Sequence, residues 1–99
     1  MICGFDCETQ GFNLETDRMT ELGAVVFNPL TMERLRTVNS LVWEPWYKPQ
    51  PEEIVEVTGI TDDMLKADGV PFTQALMLLD QAIGSVGGIS HFLAHNADF

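Results

Sequence analysis

The sequence predicts an α/β fold whose sheet opens with a three-stranded antiparallel meander and takes a fourth strand parallel to the first. Three observations carry that expectation. Three β-prone segments precede Pro45, joined by connections too short for a crossover helix. A long apolar stripe at three- and four-residue spacing follows Pro71, and a short apolar segment closes the chain. A helix between the third and fourth strands lets the last one return parallel to the first.

The first strand is expected over Ile2–Glu8, rich in Ile, Cys and Phe and followed by turn-prone Gln10, Gly11, Phe12 and Asn13. Residues 22–28 (LGAVVFN) are apolar and β-prone, and Asn28 with Pro29 reads as the turn that ends them. The third strand is expected from Arg36 to Trp43, with Val38 and Val42 on one face. Pro45, Pro49 and Pro51 then interrupt regular structure. Pro51 ahead of Glu52 and Glu53 suits the first turn of a short helix, because a missing N–H costs nothing there and negative charge favours that end. Thr61 is the expected N-cap of a second short helix through Asp62, Asp63, Met64 and Leu65. The clearest helix begins at Pro71, where Phe72, Ala75, Leu76, Leu79, Ala82, Ile83 and Val86 form the stripe; Gly87 and Gly88 end it. The last strand covers Ser90–His95. Met64, Met77 and the stripe are expected in the core, and Glu52, Glu53 and Glu56 on a solvated helix face.

The 99 residues suffice for one small domain, and 45% hydrophobic with 20% charged residues is ordinary for a globular chain. No apolar run reaches the roughly 18 residues that suggest a membrane span, and no secretory signal pattern stands at the start. A cytoplasmic location without membrane contact is expected. Cys3 and Cys7 are four residues apart on one strand, so they face the same way but too far apart to bridge; reduced thiols are expected. The net charge of −10 leaves Arg18, Arg34, Arg36, Lys48 and Lys66 as the basic residues, which speaks against a freestanding nucleic-acid binder. Bound divalent cations would offset that deficit by neutralising carboxylates and meeting the phosphate themselves.

Asp6 and Glu8 are the informative pair. Residues two apart in a strand share a face, roughly 6.6–6.8 Å from each other along the chain. Hard cations such as Mg²⁺ take oxygen ligands at about 2.1 Å, and two-metal sites hold their ions roughly 3.5–4 Å apart. Neighbouring carboxylates therefore suit one shared ion or a bridged pair. Taken alone, an Asp-x-Glu spacing also fits a solvated strand end. His91 and His95 have the spacing of a zinc-binding helix, but Phe92, Leu93 and Ala94 between them supply no catalytic Glu, and the segment reads as a strand. Trp43, Trp46 and Tyr47 are expected to pack as a rigid wall beside the prolines, with stacking on nucleobases as the weaker alternative.

Phe5-Asp6-Cys7-Glu8-Thr9-Gln10-Gly11-Phe12 resembles the first acidic motif of the DEDD exonucleases, an apolar residue followed by Asp-x-Glu-Thr-Thr-Gly-Leu. The segment from Asp17 to Val26 looks like that family's second strand. Thr58-Gly59-Ile60-Thr61-Asp62-Asp63-Met64-Leu65 is similar to its loop-and-helix signature. Ala94-His95-Asn96-Ala97-Asp98-Phe99 resembles its second motif. The four blocks come in family order and cover nearly the whole chain. They look most like the DnaQ-like (DEDDh) branch, which includes the proofreading epsilon subunit of bacterial DNA polymerase III. Gln10 in place of the second Thr and Phe12 in place of Leu are mild departures. Thr9, rather than Met, looks more like the DNA-acting members than the oligoribonucleases. In the family's register the second-motif aspartate follows Phe99, Asp98 falls on a variable position, and the third motif has no counterpart here.

The resemblance implies an RNase H-like fold, with residues 1–99 as the amino-terminal part of a single exonuclease domain. It implies 3′–5′ hydrolysis of phosphodiester bonds, with Asp6 and Glu8 as the catalytic metal ligands and Thr9 where the 3′-terminal nucleotide sits. Mg²⁺ or Mn²⁺ is the implied cofactor, in a two-metal site in the complete domain. A single-stranded DNA 3′ end is the implied substrate, and a DNA polymerase or a carboxy-terminal segment the implied protein partner. His95 and Asn96 would shape the turn after the last strand. With two of the four acidic ligands and no general-base histidine, the 99-residue chain is expected to hydrolyse DNA at no measurable rate. A non-catalytic remnant or interaction module derived from such a nuclease is the alternative, and an acidic metal-binding domain unrelated to nucleases is the third reading. The lack of the later elements is expected to leave an open sheet edge and exposed apolar surface.

Overall fold

A computed structural model describes residues 1–13 and 15–94. Its elements run β1 (Ile2–Thr9), β2 (Met19–Phe27), β3 (Arg34–Leu41), α1 (Glu52–Thr58), α2 (Asp62–Asp68), α3 (Phe72–Ser85) and β4 (His91–Ala94). The sheet has the order β3-β2-β1-β4. β1 pairs with β2, and β2 with β3, antiparallel; β4 returns parallel to β1. This is the α/β architecture expected from the sequence.

Strand period two sorts the side chains onto two faces. Thr20, Leu22, Ala24 and Val26 of β2 are buried, while Glu21, Gly23, Val25 and Phe27 alternate with them. Cys3, Phe5 and Cys7 stand opposite Val26, Ala24 and Leu22, and Val38 and Ser40 stand opposite Ala24 and Leu22. Helix α3 covers that face. Its Leu79, Ala82, Ile83 and Val86 pack on Cys3, Ala24, Val26 and Val38, and Ala75 closes a second cluster with Leu22 and Val42. The other face carries Gly4, Asp6, Glu8, Glu21, Gly23 and Val25, the alternate positions of the same two strands.

Local chemistry accounts for the helix ends. The Thr61 hydroxyl accepts the Met64 N–H at 3.2 Å and caps α2, as its position predicts. Gly59 takes a left-handed φ of 74° and closes α1, with its N–H on the Val55 carbonyl. Pro51 and Pro71 stand immediately before α1 and α3.

Several expectations change in detail. β2 starts at Met19 rather than Leu22, because Glu21 and Met19 continue the ladder opposite Glu8 and Thr9. β3 ends at Leu41, after which the chain bridges Val70 through Val70 N–H to Leu41 O and Trp43 N–H to Val70 O, both at 3.0 Å. Met64 and Met77 lie outside the core, exposed by 41% and 60%, and Phe72 and Leu76 of the stripe are also exposed. A helix lying on a sheet buries a narrow strip, here Ala75, Leu79, Ala82, Ile83 and Val86, and residues flanking it turn to solvent. Glu52, Glu53 and Glu56 are exposed, as expected for a solvated face. Among the described residues β4 pairs with β1 alone, and its Phe92 and Leu93 are more than half exposed. No described helix is long and apolar enough to cross a membrane.

Candidate metal and substrate site

Asp6 and Glu8 occupy alternate positions of β1, so one face carries both. Asp6 stands opposite Gly23, and Glu8 opposite Glu21. Asp6 is exposed and its Oδ1 accepts the Cys7 N–H at 2.9 Å. Glu8 is half-buried, and its main-chain carbonyl accepts the Thr20 hydroxyl at 3.2 Å. Beside Asp6 the face opens into a groove of about 720 Å³. Gly4 and Gly23 line it without side chains, and Val25, Thr37, Asn39 and Leu93 border it.

Glu21 is the site residue that the sequence reading passed over. It lies in a segment read as a family strand, and only the pairing register shows that it faces Glu8. Burial foremost, then the charges of Glu8 and Asp6, push its carboxyl above the usual glutamate range. Glu21 thus adds a third carboxylate to this face, across the pairing from Glu8. Asp6 and Glu8 are hard oxygen donors of the kind Mg²⁺ and Mn²⁺ select, which fits part of a divalent-cation site. Among the described residues no group of three His, Cys, Asp or Glu is placed to hold an ion.

The raised value of Glu21 fixes the sign of its contribution to stability. Between the ordinary glutamate value and the raised folded value, the folded chain holds the extra proton, so stability falls as pH rises through that window. Above it the full penalty of the crowded charge remains. Glu21→Gln is therefore expected to stabilise the fold near pH 7 by about 0.5 kcal/mol, raising the melting temperature by about 2–4 °C. The gain should shrink as pH drops below the ordinary glutamate value. Thermal melts at pH 4 and pH 7 check this, and an equal effect at both would contradict it.

Thr9 lies at a bulge between Glu8 and Thr9 in the β1–β2 pairing. Its hydroxyl donates to the Gly11 carbonyl at 2.7 Å, which folds the strand end into a tight turn. Gln10, noted in the sequence as a mild departure, is buried to 2% exposure. Its backbone N–H donates to Arg18 O at 3.0 Å, its Oε1 accepts Arg18 N–H at 3.0 Å, and its Nε2 donates to Lys48 O at 2.8 Å. One side chain thereby joins the turn after the carboxylates to the start of β2 and to the proline-rich loop. An ion pair between Lys48 and Asp17 supports the same junction. The hydrogen bond from Lys48, then the Asn13 N–H, hold the Asp17 carboxyl below its usual range.

Cys3 and Cys7 are free, and burial pushes both thiols up, which disfavours the reactive thiolate. His91 is exposed on β4 with Nδ1 3.0 Å from Ser90 Oγ. His95, Asn96, Asp98 and Phe99, and with them the second motif beyond Ala94, lie outside the described residues. The aromatic group divides. Tyr47 is half-buried against the Leu22 cluster and Trp43 is half-buried, whereas Trp46 is 62% exposed.

The model of a family described as exonuclease, RNase_T, matches residues 3–99. No curated protein matches the sequence. Among solved structures, the nuclease domain of 3'hExo, a DEDDh family member bound to rAMP, superposes with a TM-score of 0.77 at 23% identity, over 94% of this chain and 50% of that one. Exonuclease X in complex with 5′ overhanging duplex DNA gives 0.65 at 20% identity, over 100% of this chain and 51% of that one. Exonuclease I from Methylocaldum szegediense gives 0.72 at 16% identity, over 96% and 20%. The chain thus spans about half or less of the length of these structures, and what it shares with them is the RNase H-like fold.

Proposed function

This chain belongs to the RNase_T exonuclease family, and from that premise we propose that it is the amino-terminal part of a metal-dependent 3′–5′ exonuclease domain acting on single-stranded DNA 3′ ends. Asp6 and Glu8 are its metal ligands, and Thr9 lies beside the 3′-terminal nucleotide. The observation that carries this reading is the pairing register, which sets both carboxylates on one face of β1 next to a groove floored by Gly4 and Gly23.

The chain's own groups have defined tasks. Asp6 and Glu8 hold Mg²⁺ or Mn²⁺ through their oxygens. Bound there, the cation supplies charge neutralisation for the phosphodiester and a water acidic enough to ionise near neutral pH. The two glycines keep side chains out of the approach to Asp6. The turn at Thr9, fixed by the Gly11 carbonyl and by Gln10, sets the edge against which the terminal sugar rests. Without a cation, three neighbouring carboxylates repel a phosphate, so binding of the 3′ end is expected to require the metal.

These 99 residues carry two of the family's four acidic ligands and no counterpart of its general-base histidine. Alone, the chain is therefore expected to bind Mn²⁺ weakly and to hydrolyse DNA at no measurable rate. Calorimetric titration with Mn²⁺ tests the site. Asp6→Ala should weaken binding by at least the roughly tenfold that losing even a ligand's outer partner costs; equal binding by both proteins overturns the assignment. Mg²⁺-dependent hydrolysis by the 99-residue chain that disappears in Asp6→Ala would instead overturn the expected inactivity.

A further inference from the structure

Two of the five basic side chains in this acidic protein gather at one aromatic wall. Trp46 exposes 62% of its surface, and the Arg18 guanidinium lies 5.4 Å from its ring centroid. Tyr47 meets Trp46 edge to face at 5.0 Å and is anchored by its hydroxyl on the Met19 carbonyl at 2.8 Å. Phe72 completes a cavity of about 260 Å³. Pro45 and Pro49 stiffen the loop, so the indole is held out with little freedom to lose on binding. The wall is also tied to the carboxylate strand, because Gln10 holds both Arg18 and Lys48 by hydrogen bonds two residues after Glu8.

We propose that Trp46, Tyr47 and Arg18 form a stacking subsite for one unpaired nucleobase of a single strand whose 3′ end lies at Asp6 and Glu8. The inference rests on the exonuclease reading and adds to it where the strand is gripped. An indole exposed over 62% of its surface offers a flat π-surface that accepts any base, and Arg18, which lies over the ring, adds a cation–π contact. Lys48 is ion-paired to Asp17 beside the wall, and Arg18 brings positive charge against the ring itself. Asp17 and Glu44 border the same cavity and keep the grip weak rather than tight.

The test uses the 99-residue chain with a fluorescein-labelled ten-nucleotide oligothymidylate in EDTA at low salt, read by anisotropy and by tryptophan emission. With no cation to seat its 3′ end at Asp6 and Glu8, the oligonucleotide is expected to bind weakly, through the wall alone, and to quench tryptophan. A strand of equal length without bases should bind roughly tenfold more weakly and should not quench. Trp46→Ala should cost about the same factor, and Trp46→Phe should recover most of it. Equal affinity for the baseless strand, unchanged binding by Trp46→Ala, or no binding at all overturns the subsite. So does preferential binding of a proline-rich peptide, the other ligand class an aromatic wall suits. Because EDTA removes the cation, failure here leaves the metal site intact, and a missing Mn²⁺ response in the calorimetry leaves the stacking result intact.

Discussion

Gln10→Ala is expected to destabilise the fold by about 2–4 kcal/mol. The side chain is 2% exposed and uses both ends of its amide. Alanine would strip the partner from Arg18 N–H and from the Lys48 carbonyl, which are held at 3.0 and 2.8 Å. Each unmatched polar group costs about 1–3 kcal/mol when water does not replace the lost partner. In a domain of this size the loss lowers the melting temperature by roughly 10–25 °C. Gln10→Thr, which restores the residue of the family's usual pattern, should recover little, because a hydroxyl cannot span from β1 to the proline-rich loop. Gln10→Glu should fail as well, since a carboxylate still accepts from Arg18 but offers no hydrogen to the Lys48 carbonyl. Thermal melts of the three variants check this. A drop of only a few degrees in Gln10→Ala would mean that the junction is held by other contacts.

Gly23→Val is expected to do the opposite, keeping the fold while closing the groove. A Cβ at this position meets nothing closer than the Asp6 carbonyl oxygen at 3.9 Å, an ordinary contact. Valine suits a strand better than glycine, so stability should change by less than about 1 kcal/mol. Its isopropyl group would project from the face that carries Asp6, at the position paired with Asp6 on one side and Asn39 on the other. Binding of thymidine monophosphate in the presence of Mn²⁺ should fall by roughly 10–100-fold, about 1.4–2.7 kcal/mol. Unchanged melting with unchanged nucleotide binding would place the substrate elsewhere on the protein.

These two positions mark where local pattern ends. Gln10 reads in sequence as a turn residue, because its partners Arg18 and Lys48 are 8 and 38 residues away. Gly23 reads as one small residue in an apolar run, because nothing local says that Asp6 lies across from it. The same holds for Glu21, which joins the acidic face through a pairing that begins three residues earlier than its hydrophobic pattern suggests.

What the sequence determined by itself is whatever depends on neighbours within a turn or a strand. Period two sets Asp6 and Glu8 on one face, Thr61 caps α2, Pro51 leads into α1, and the three- and four-residue spacing makes α3 amphipathic. The tertiary structure alone decided which stripe residues are buried, that Tyr47 packs while Trp46 projects, that Glu21 crowds Glu8, and that Gln10 joins three segments. Backbone periodicity is a short-range property of the chain, whereas cross-strand register and loop docking are fixed only when distant segments meet and compete for the same hydrogen bonds and the same buried area.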